Sequence, residues 1–525
     1  LSRTAKRWVL AGAAVVVVAI VVAAVVVLRG GGSGEAPAAS ATSAGDAGDA
    51  VTRYLRAWSA GDDAAAAALT DDQAGASAAL KAARTSLGAK ALTATLTQVK
   101  GEMAAIHAKW TLGAGRVWNY DNELRLVHGD AGWKVHFAPS AIHPEFGPGD
   151  RFAIRGASAG PAVTDRDGKT LMTWEADGPR AVDPAFAPLV LPGIGRLAAG
   201  SGESWSVVLV DAANKVTTLY REGKGQPKAL GTSLSSTAQA AAQAAVDTAG
   251  APAMLVAIQP STGDILAVAQ SADVTSGNAL TGLYAPGSTF KIATAAAVLE
   301  AGAANAGTVL PCPGTVRIGQ RTIPNDDEFS LPSLPLHSAF AHSCNTTFAQ
   351  LASGLPPDAL AKAASQFGLN ADFEIPGITT EAGKVVPSAN AAEQVESAIG
   401  QGRVQASPFG LALMAATVAA GKPVTPELVR DRGTSVSTGY DAPPAAVLSA
   451  LRSMMREVVT GGTATGLAGS GTVSGKTGTA QFGDGSQANG WFAGYRGDLA
   501  FSVLLIGANS SKPAVSASGA FLRRL

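Results

Sequence analysis

The sequence is poor in the residues on which metal and redox chemistry depend. Across 525 residues there are only two cysteines and six histidines. Cys312 and Cys344 stand in no CxxC or comparable metal-ligand spacing, and there is no HExxH. No metal is therefore expected, and no cofactor motif is present. Net charge is absent too: 40 basic residues face 40 acidic ones. Without a basic field, nucleic acid is not an expected partner. Aromatics make up 6% of the chain against 47% hydrophobic residues overall, so most of the core is to be built from small aliphatic side chains. The length leaves room for about three domains, each with its own core.

What is abundant begins with residues 8–28, WVLAGAAVVVVAIVVAAVVVL, which carry no charge. About 20 such residues suffice to cross the hydrocarbon of a bilayer. Arg3, Lys6 and Arg7 precede the run and only Arg29 follows closely. The positive-inside rule then predicts a single-pass cell-membrane protein with its remaining domains outside the cytoplasm. A cleaved signal peptide is the alternative, since APA at 36–38 has the small residues of a cleavage site. Residues 1–29 thus read as a cytoplasmic stub and transmembrane anchor. Residues 30–47, rich in glycine, serine and alanine, read as a flexible tether.

From 48 to 140 two helical segments precede strands. In AAIHAKWTL the apolar Ile106, Ala108, Trp110 and Leu112 alternate with His107, Lys109 and Thr111, the period of a half-buried strand. Four of the eight tryptophans fall here, Trp58, Trp110, Trp118 and Trp133, and are expected in the core of a helix-plus-curved-sheet domain. Residues 141–230 contain TDRDGKTLMTW, a strand-turn-strand signal around Asp167-Gly168, and read as a β-rich linker or pedestal. Gly156-Ala157-Ser158-Ala159-Gly160 matches the GxSxG nucleophile elbow. That elbow needs a helix after the serine, and Pro161 with the DRDG turn argues against one.

Residues 284–291 read YAPGSTFK, and the run KIATAAAVLEAG that follows predicts a helix fed by the Pro286-Gly287 turn. Ser288 then falls in the first turn and Lys291 one turn further on the same face. An isolated SxxK is usually a cap and a surface lysine. This one is the only SxxK in the chain, and two further elements follow it: Ser343-Cys344-Asn345 ahead of the helical TTFAQLAS, and Lys476-Thr477-Gly478-Thr479, the only KTG. SxN alone is weak, for Ser276-Gly277-Asn278 and Ser388-Ala389-Asn390 also match. Only the copy at Ser343 lies in order between SxxK and KTG.

A serine needs a base to act as nucleophile. Lys291, desolvated and close to a second cation at Lys476, has the setting in which a lysine pKa falls far enough to accept the proton. The Ser288 N–H, at a helix start, and the Thr479 N–H would form an oxyanion hole. Thr477 and Thr479 suit a terminal carboxylate, and Gly478 lets a peptide backbone lie close. Ser343 would pass a proton to the leaving amine and Asn345 would hold the substrate amide. Cys312 and Cys344 are either a disulfide bracing this element or two buried thiols.

SxxK, SxN and KTG in this order are the motif set of penicillin-binding proteins and class A β-lactamases. With the hairpin around Ser261-Thr262-Gly263 before them and two strands after KTG, residues 231–525 resemble the transpeptidase domain of class B penicillin-binding proteins. Residues 48–140 resemble the NTF2-like domain in front of some membrane-anchored transpeptidases. The resemblance implies a multidomain α+β chain whose last domain is β-lactamase/transpeptidase-like, an antiparallel sheet flanked by helices. It implies the same roles for Ser288, Lys291, Ser343, Asn345 and Lys476, with substrate binding by Thr477, Gly478 and Thr479. The implied activity is a peptidoglycan D,D-transpeptidase that takes D-Ala-D-Ala stem peptides and is acylated by β-lactam antibiotics. It needs no cofactor, and its implied partner is a membrane glycan polymerase. A β-lactamase or D,D-carboxypeptidase on the same fold, or a non-catalytic β-lactam sensor or scaffold, are the rivals. Class A β-lactamases carry an ExxLN element between SxN and KTG, and none occurs here.

Overall fold

The computed structural model describes residues 41–156, 161–175, 178–199, 205–223, 229–483 and 485–525. The apolar run at 8–28, its tether up to residue 40, and the serine of the GxSxG match lie outside these. Among the described residues no helix is long and apolar enough to cross a membrane. Chain contacts divide the protein into two compact units, 41–152 with 209–216, and 153–208 with 217–525.

In the smaller unit, α1 (Ala41–Ala60), α2 (Asp63–Ala68) and α3 (Gln73–Ser86) precede an antiparallel sheet of β1 (Ala91–Lys100), β2 (Met103–Thr111), β3 (Val117–Gly129) and β4 (Gly132–Val135), in that spatial order. Asp72 caps α3 by accepting the Gly75 N–H at 3.0 Å, a contact worth about 1 kcal/mol. The expected alternation in β2 is present: Ala104, Ile106, Ala108 and Trp110 are buried while Lys109 is exposed. Trp58, Trp110 and Trp118 are fully buried, with Trp58 edge-on to Trp110 at 5.8 Å. Three of the four tryptophans are thus packing residues, and Trp133 is half-buried against His128.

The larger unit begins with a small sheet of β5 (Pro161–Thr164), β6 (Thr170–Glu175) and β7 (Gly178–Ala181), followed by α4 (Leu191–Ala199), with β8 (Leu230–Gly231) joining β5 in parallel. The turn expected around Asp167-Gly168 links β5 to β6, with Asp165 accepting the Asp167 and Lys169 N–H groups. The same Asp165 accepts the Ser236 hydroxyl at 2.7 Å, so this segment is tied to the next helix.

That helix, α5 (Ser236–Asp247), leads into β9 (Ala253–Ile258) and β10 (Ile265–Gln270), the hairpin predicted around Gly263. After α6 (Lys291–Glu300), α7 (Leu336–Ala341), α8 (Asn345–Ala352), α9 (Pro408–Ala420) and α10 (Ala445–Thr460) come β11 (Val473–Phe482), β12 (Gln487–Arg496), β13 (Leu499–Leu505) and α11 (Lys512–Leu522). The five strands form one antiparallel sheet in the order β10-β9-β13-β12-β11. Neighbouring residues of a strand point to opposite faces. Phe501 meets Phe521 of α11, whereas Ser502 bonds to the Pro408 carbonyl of α9, so helices cover both faces. α9 is apolar on every side and almost entirely buried, as a central helix must be. β11, which carries KTG, is left at the edge of the sheet.

Candidate active site

Three separate elements bring the motif residues together. Ser288 lies in a 3-10 turn, Gly287–Phe290, and α6 begins only at Lys291. The expected first α-helical turn is therefore tighter, and Gly287 lets it pack against the strand that carries KTG. Its φ is +53°, and a methyl group there would come within 2.4 Å of the Thr479 carbonyl oxygen. Gly478 is equally constrained, since a methyl there would meet the Pro286 oxygen at 2.6 Å. The two glycines let the serine turn press against the edge of β11. The N–H and C=O of one strand residue share a side, so the Thr479 N–H faces the Ser288 turn along with its carbonyl.

Lys291 is the hub. Its Nζ lies 2.9 Å from Ser288 Oγ, 2.8 Å from the Ser343 carbonyl, 3.3 Å from Ser343 Oγ and 2.6 Å from Asn345 Oδ1. The side chain is 0% exposed, and no carboxylate pairs with it among the described residues. Burial, and secondly the charge of Lys476, push its pKa well below the ordinary lysine value, while Asp326 opposes them. A neutral amine has two N–H groups and one lone pair. The Ser343 carbonyl and Asn345 Oδ1 can only accept, and they take both N–H groups. The lone pair is left for the Ser288 hydroxyl proton.

Lys476, also 0% exposed, is pushed down to about 7 by burial. Lys476 donates to the Thr477 carbonyl at 3.1 Å and approaches Thr477 Oγ1 at 3.5 Å. Its Nζ lies over the Phe340 ring, as that of Lys291 lies over Phe348; a ring face attracts either group only while it is protonated. The hydrogen bonds of Lys476 go to Thr477 and not to Ser343.

Ser343 takes a left-handed φ of +64°, unusual outside glycine. A bridge between Cys344 and Cys312, with Cα atoms 6.1 Å apart, holds the element beside it. Of the two readings open from sequence, the structure has the disulfide.

Sequence reasoning missed two residues. Asn325 is almost fully buried, donates to the Pro313 and Phe329 carbonyls, and accepts the Thr346 N–H at the start of α8. Asn345 Nδ2 donates to the Pro324 carbonyl beside it, which uses one of the two amide hydrogens expected to meet substrate. Thr463, just past α10, donates its N–H to the Ala341 carbonyl at 3.1 Å, and its Oγ1 lies 2.6 Å from Thr477 Oγ1. No motif marks either residue.

Residues 253–524 match the family described as penicillin binding protein transpeptidase domain, and 46–150 match the NTF2-like N-terminal transpeptidase domain. A curated relative, the peptidoglycan D,D-transpeptidase PbpA of Mycobacterium tuberculosis, is 32% identical over 32% of this chain and 40% of its own length. The match thus spans less than half of that relative. Among solved structures, the D,D-transpeptidase domain of a peptidoglycan glycosyltransferase from Eggerthella lenta is 25% identical at a TM-score of 0.55, covering 70% of this chain and 98% of that one. Penicillin-binding protein A from M. tuberculosis, captured as a penicillin G acyl-enzyme complex, shares the fold at a TM-score of 0.56 and 22% identity, covering 70% and 99%.

Proposed function

Because the chain belongs to the penicillin-binding protein transpeptidase family, we propose that it is a monofunctional peptidoglycan D,D-transpeptidase working through an acyl-enzyme on Ser288. The observation that carries this reading is the 2.9 Å contact between Ser288 Oγ and a fully buried Lys291 that no carboxylate pairs with among the described residues.

In the first half-reaction the Ser288 proton passes to the Lys291 lone pair as Oγ attacks the penultimate D-Ala carbonyl of a stem peptide. The negative oxygen of the tetrahedral intermediate is received by the N–H groups of Ser288 and Thr479. Each such donor is worth about 3–4 kcal/mol of rate when deleted. The C–N bond then breaks, and the terminal D-Ala amine leaves with a proton relayed from Lys291 through Ser343 Oγ, 3.3 Å away. Thr477 and Thr479 take the terminal carboxylate, and the open edge of β11 lets the peptide pair as an added strand. In the second half-reaction an amine of another stem attacks the ester, the proton path runs in reverse, and Ser288 is restored. A β-lactam follows the first half only, leaving its ring-opened acyl group on Ser288.

The finer assignments belong to the same proposal. Residues 8–28 anchor the chain in the cell membrane with the catalytic unit outside, residues 141–230 act as a pedestal, and a membrane glycan polymerase supplies the strands to be cross-linked. The test is covalent labelling with a fluorescent penicillin, read alongside intact-protein mass. Ser288→Ala removes one oxygen and should abolish the adduct with the melting temperature intact. The wild-type adduct should persist for many minutes after free drug is removed. Undiminished labelling of the alanine variant overturns the nucleophile. Rapid loss of the adduct with accumulating hydrolysed drug turns the reading to a β-lactamase.

A further inference from the structure

A second polar cleft in the larger unit plays no part in this chemistry. α10 carries two arginines one turn apart, Arg452 and Arg456. Arg452 donates from Nε and Nη2 to the Val418 and Ala419 carbonyls at 2.8 and 3.1 Å, at the C-terminal end of α9. Arg456 donates from Nη1 to the Val473 carbonyl at 2.6 Å, where β11 starts. These bonds fix both guanidinium groups and neutralise neither. No carboxylate pairs with Arg452 or Arg456 among the described residues, and the adjacent acid, Glu457, is taken by His337 at 2.5 Å.

The two arginines line an open cleft of about 620 Å³, together with Ser453, Thr472, Ser474 and Tyr495. No acidic side chain lines it. Ser474 and Tyr495 face each other across β11 and β12. Burial raises the Tyr495 phenol, opposed by the Ser474 hydroxyl and the Arg452 charge, so the phenol stays protonated and able to donate. Capping α9 and holding β11 occupy one edge of each guanidinium. They leave further N–H donors and two uncompensated charges around one space, with the Thr472 hydroxyl and the mutually bonded Ser474 and Tyr495 hydroxyls beside them, while the Ser453 hydroxyl turns to the Ser449 carbonyl at 3.3 Å.

We propose that this cleft binds a phosphate-bearing ligand at a site separate from Ser288. Donors arrive from a helix and from two strands, which suits a tetrahedral group with several acceptor oxygens better than a planar carboxylate, for which one arginine fork suffices. The volume exceeds that of the phosphate itself, so the ligand is either free phosphate or the headgroup of a larger molecule.

The test is calorimetric titration of the full chain, at constant ionic strength, with inorganic phosphate and separately with a soluble short-chain phosphatidylglycerol. Saturable binding of phosphate is expected, weakened about tenfold or more in Arg452→Gln/Arg456→Gln and largely retained in Arg452→Lys/Arg456→Lys. Tighter binding of the lipid than of phosphate identifies a headgroup site, and equal binding identifies the phosphate group alone. Penicillin labelling checks that each variant is folded. Should the double glutamine variant fail that check, Arg452→Gln alone decides, because it leaves the Arg456 hold on β11 in place. Absence of saturable phosphate binding, or wild-type affinity in the folded glutamine variant, overturns the site.

Discussion

The core around Trp58, Trp110 and Trp118 in the smaller unit and the core around Lys291 and Lys476 in the larger one are both fully buried. The first handles charge at its margin: Arg84 lies over the Trp110 ring and is answered by Asp63 at 3.2 Å. The second takes two lysine amines out of water, and among the described residues no carboxylate pairs with either. A buried unpaired charge costs several kcal/mol, and the group escapes by losing its proton, which is the direction in which both lysines are moved. A well-packed core has no use for such a pair, and a proton-transfer site does. The difference separates residues that hold the protein together from residues that cost it stability and repay it in rate.

The sharpest way to break this comparison is to truncate one residue from each side. Lys291→Met removes the base while keeping most of the volume. Penicillin acylation should slow by about 10²–10⁴-fold, with a melting temperature close to wild type, because the relief of a desolvated amine offsets the loss of its bonds to the Ser343 carbonyl and Asn345 Oδ1. Trp110→Ala should do the reverse. Its unit should lose about 3–5 kcal/mol, seen as an earlier unfolding step, while folded protein acylates at an unchanged rate. Stopped-flow acylation and calorimetry on the same samples decide. A Lys291→Met variant that melts early, or a Trp110→Ala variant that is slow but folded, would erase the distinction.

The two cores also differed in how legible they were. The alternation in β2 and the hairpin at Gly263 depend on local period and turn chemistry, which a sequence carries within a few residues. The catalytic trio was legible for another reason: Ser288, Ser343 and Lys476 lie on three elements, but their residue types and order are constrained by the reaction. The contacts of Thr463 and Asn325 were not legible, because a threonine after a glycine pair and an asparagine in a turn are ordinary residues. Only the meeting of α10, α7 and β11 gives the first its partners. The need for glycine at 287 likewise depends on a carbonyl of Thr479, almost two hundred positions away.

The electrostatic half of the comparison can be sharpened by pH. The second-order acylation rate should rise with pH as Lys291 loses its proton and fall again as Lys476 loses its own, near 7 in the free protein. The charge of Lys476 disfavours a proton on Lys291, so removing it must raise the Lys291 pKa. Lys476→Met should therefore move the rising limb to higher pH and abolish the falling limb. A rising limb that stays in place, or moves down, would mean that burial alone sets Lys291.

The smallest expected effect falls on Thr463, which belongs to neither pole of the comparison. Its N–H holds the Ala341 carbonyl, two residues before Ser343, and its hydroxyl meets that of Thr477. One residue thus links the serine–asparagine segment to the KTG strand. Gly462 permits the approach, since a methyl there would come within 2.3 Å of the Ala341 oxygen. Thr463→Val keeps the shape and the backbone bond but leaves the buried Thr477 hydroxyl short of a partner, a loss of about 1 kcal/mol. Thr463 touches no reacting atom, so the loss should appear in the affinity with which the β-lactam carboxylate is held and not in the rate of bond formation. Resolved acylation kinetics should show a dissociation constant weakened by about fivefold, since 1.36 kcal/mol corresponds to tenfold, with the limiting acylation rate unchanged. Thr463→Ser, which restores the hydroxyl, should recover wild-type affinity. If serine behaves like valine, the methyl group and its packing matter rather than the hydroxyl, and the link between the two motif elements is steric.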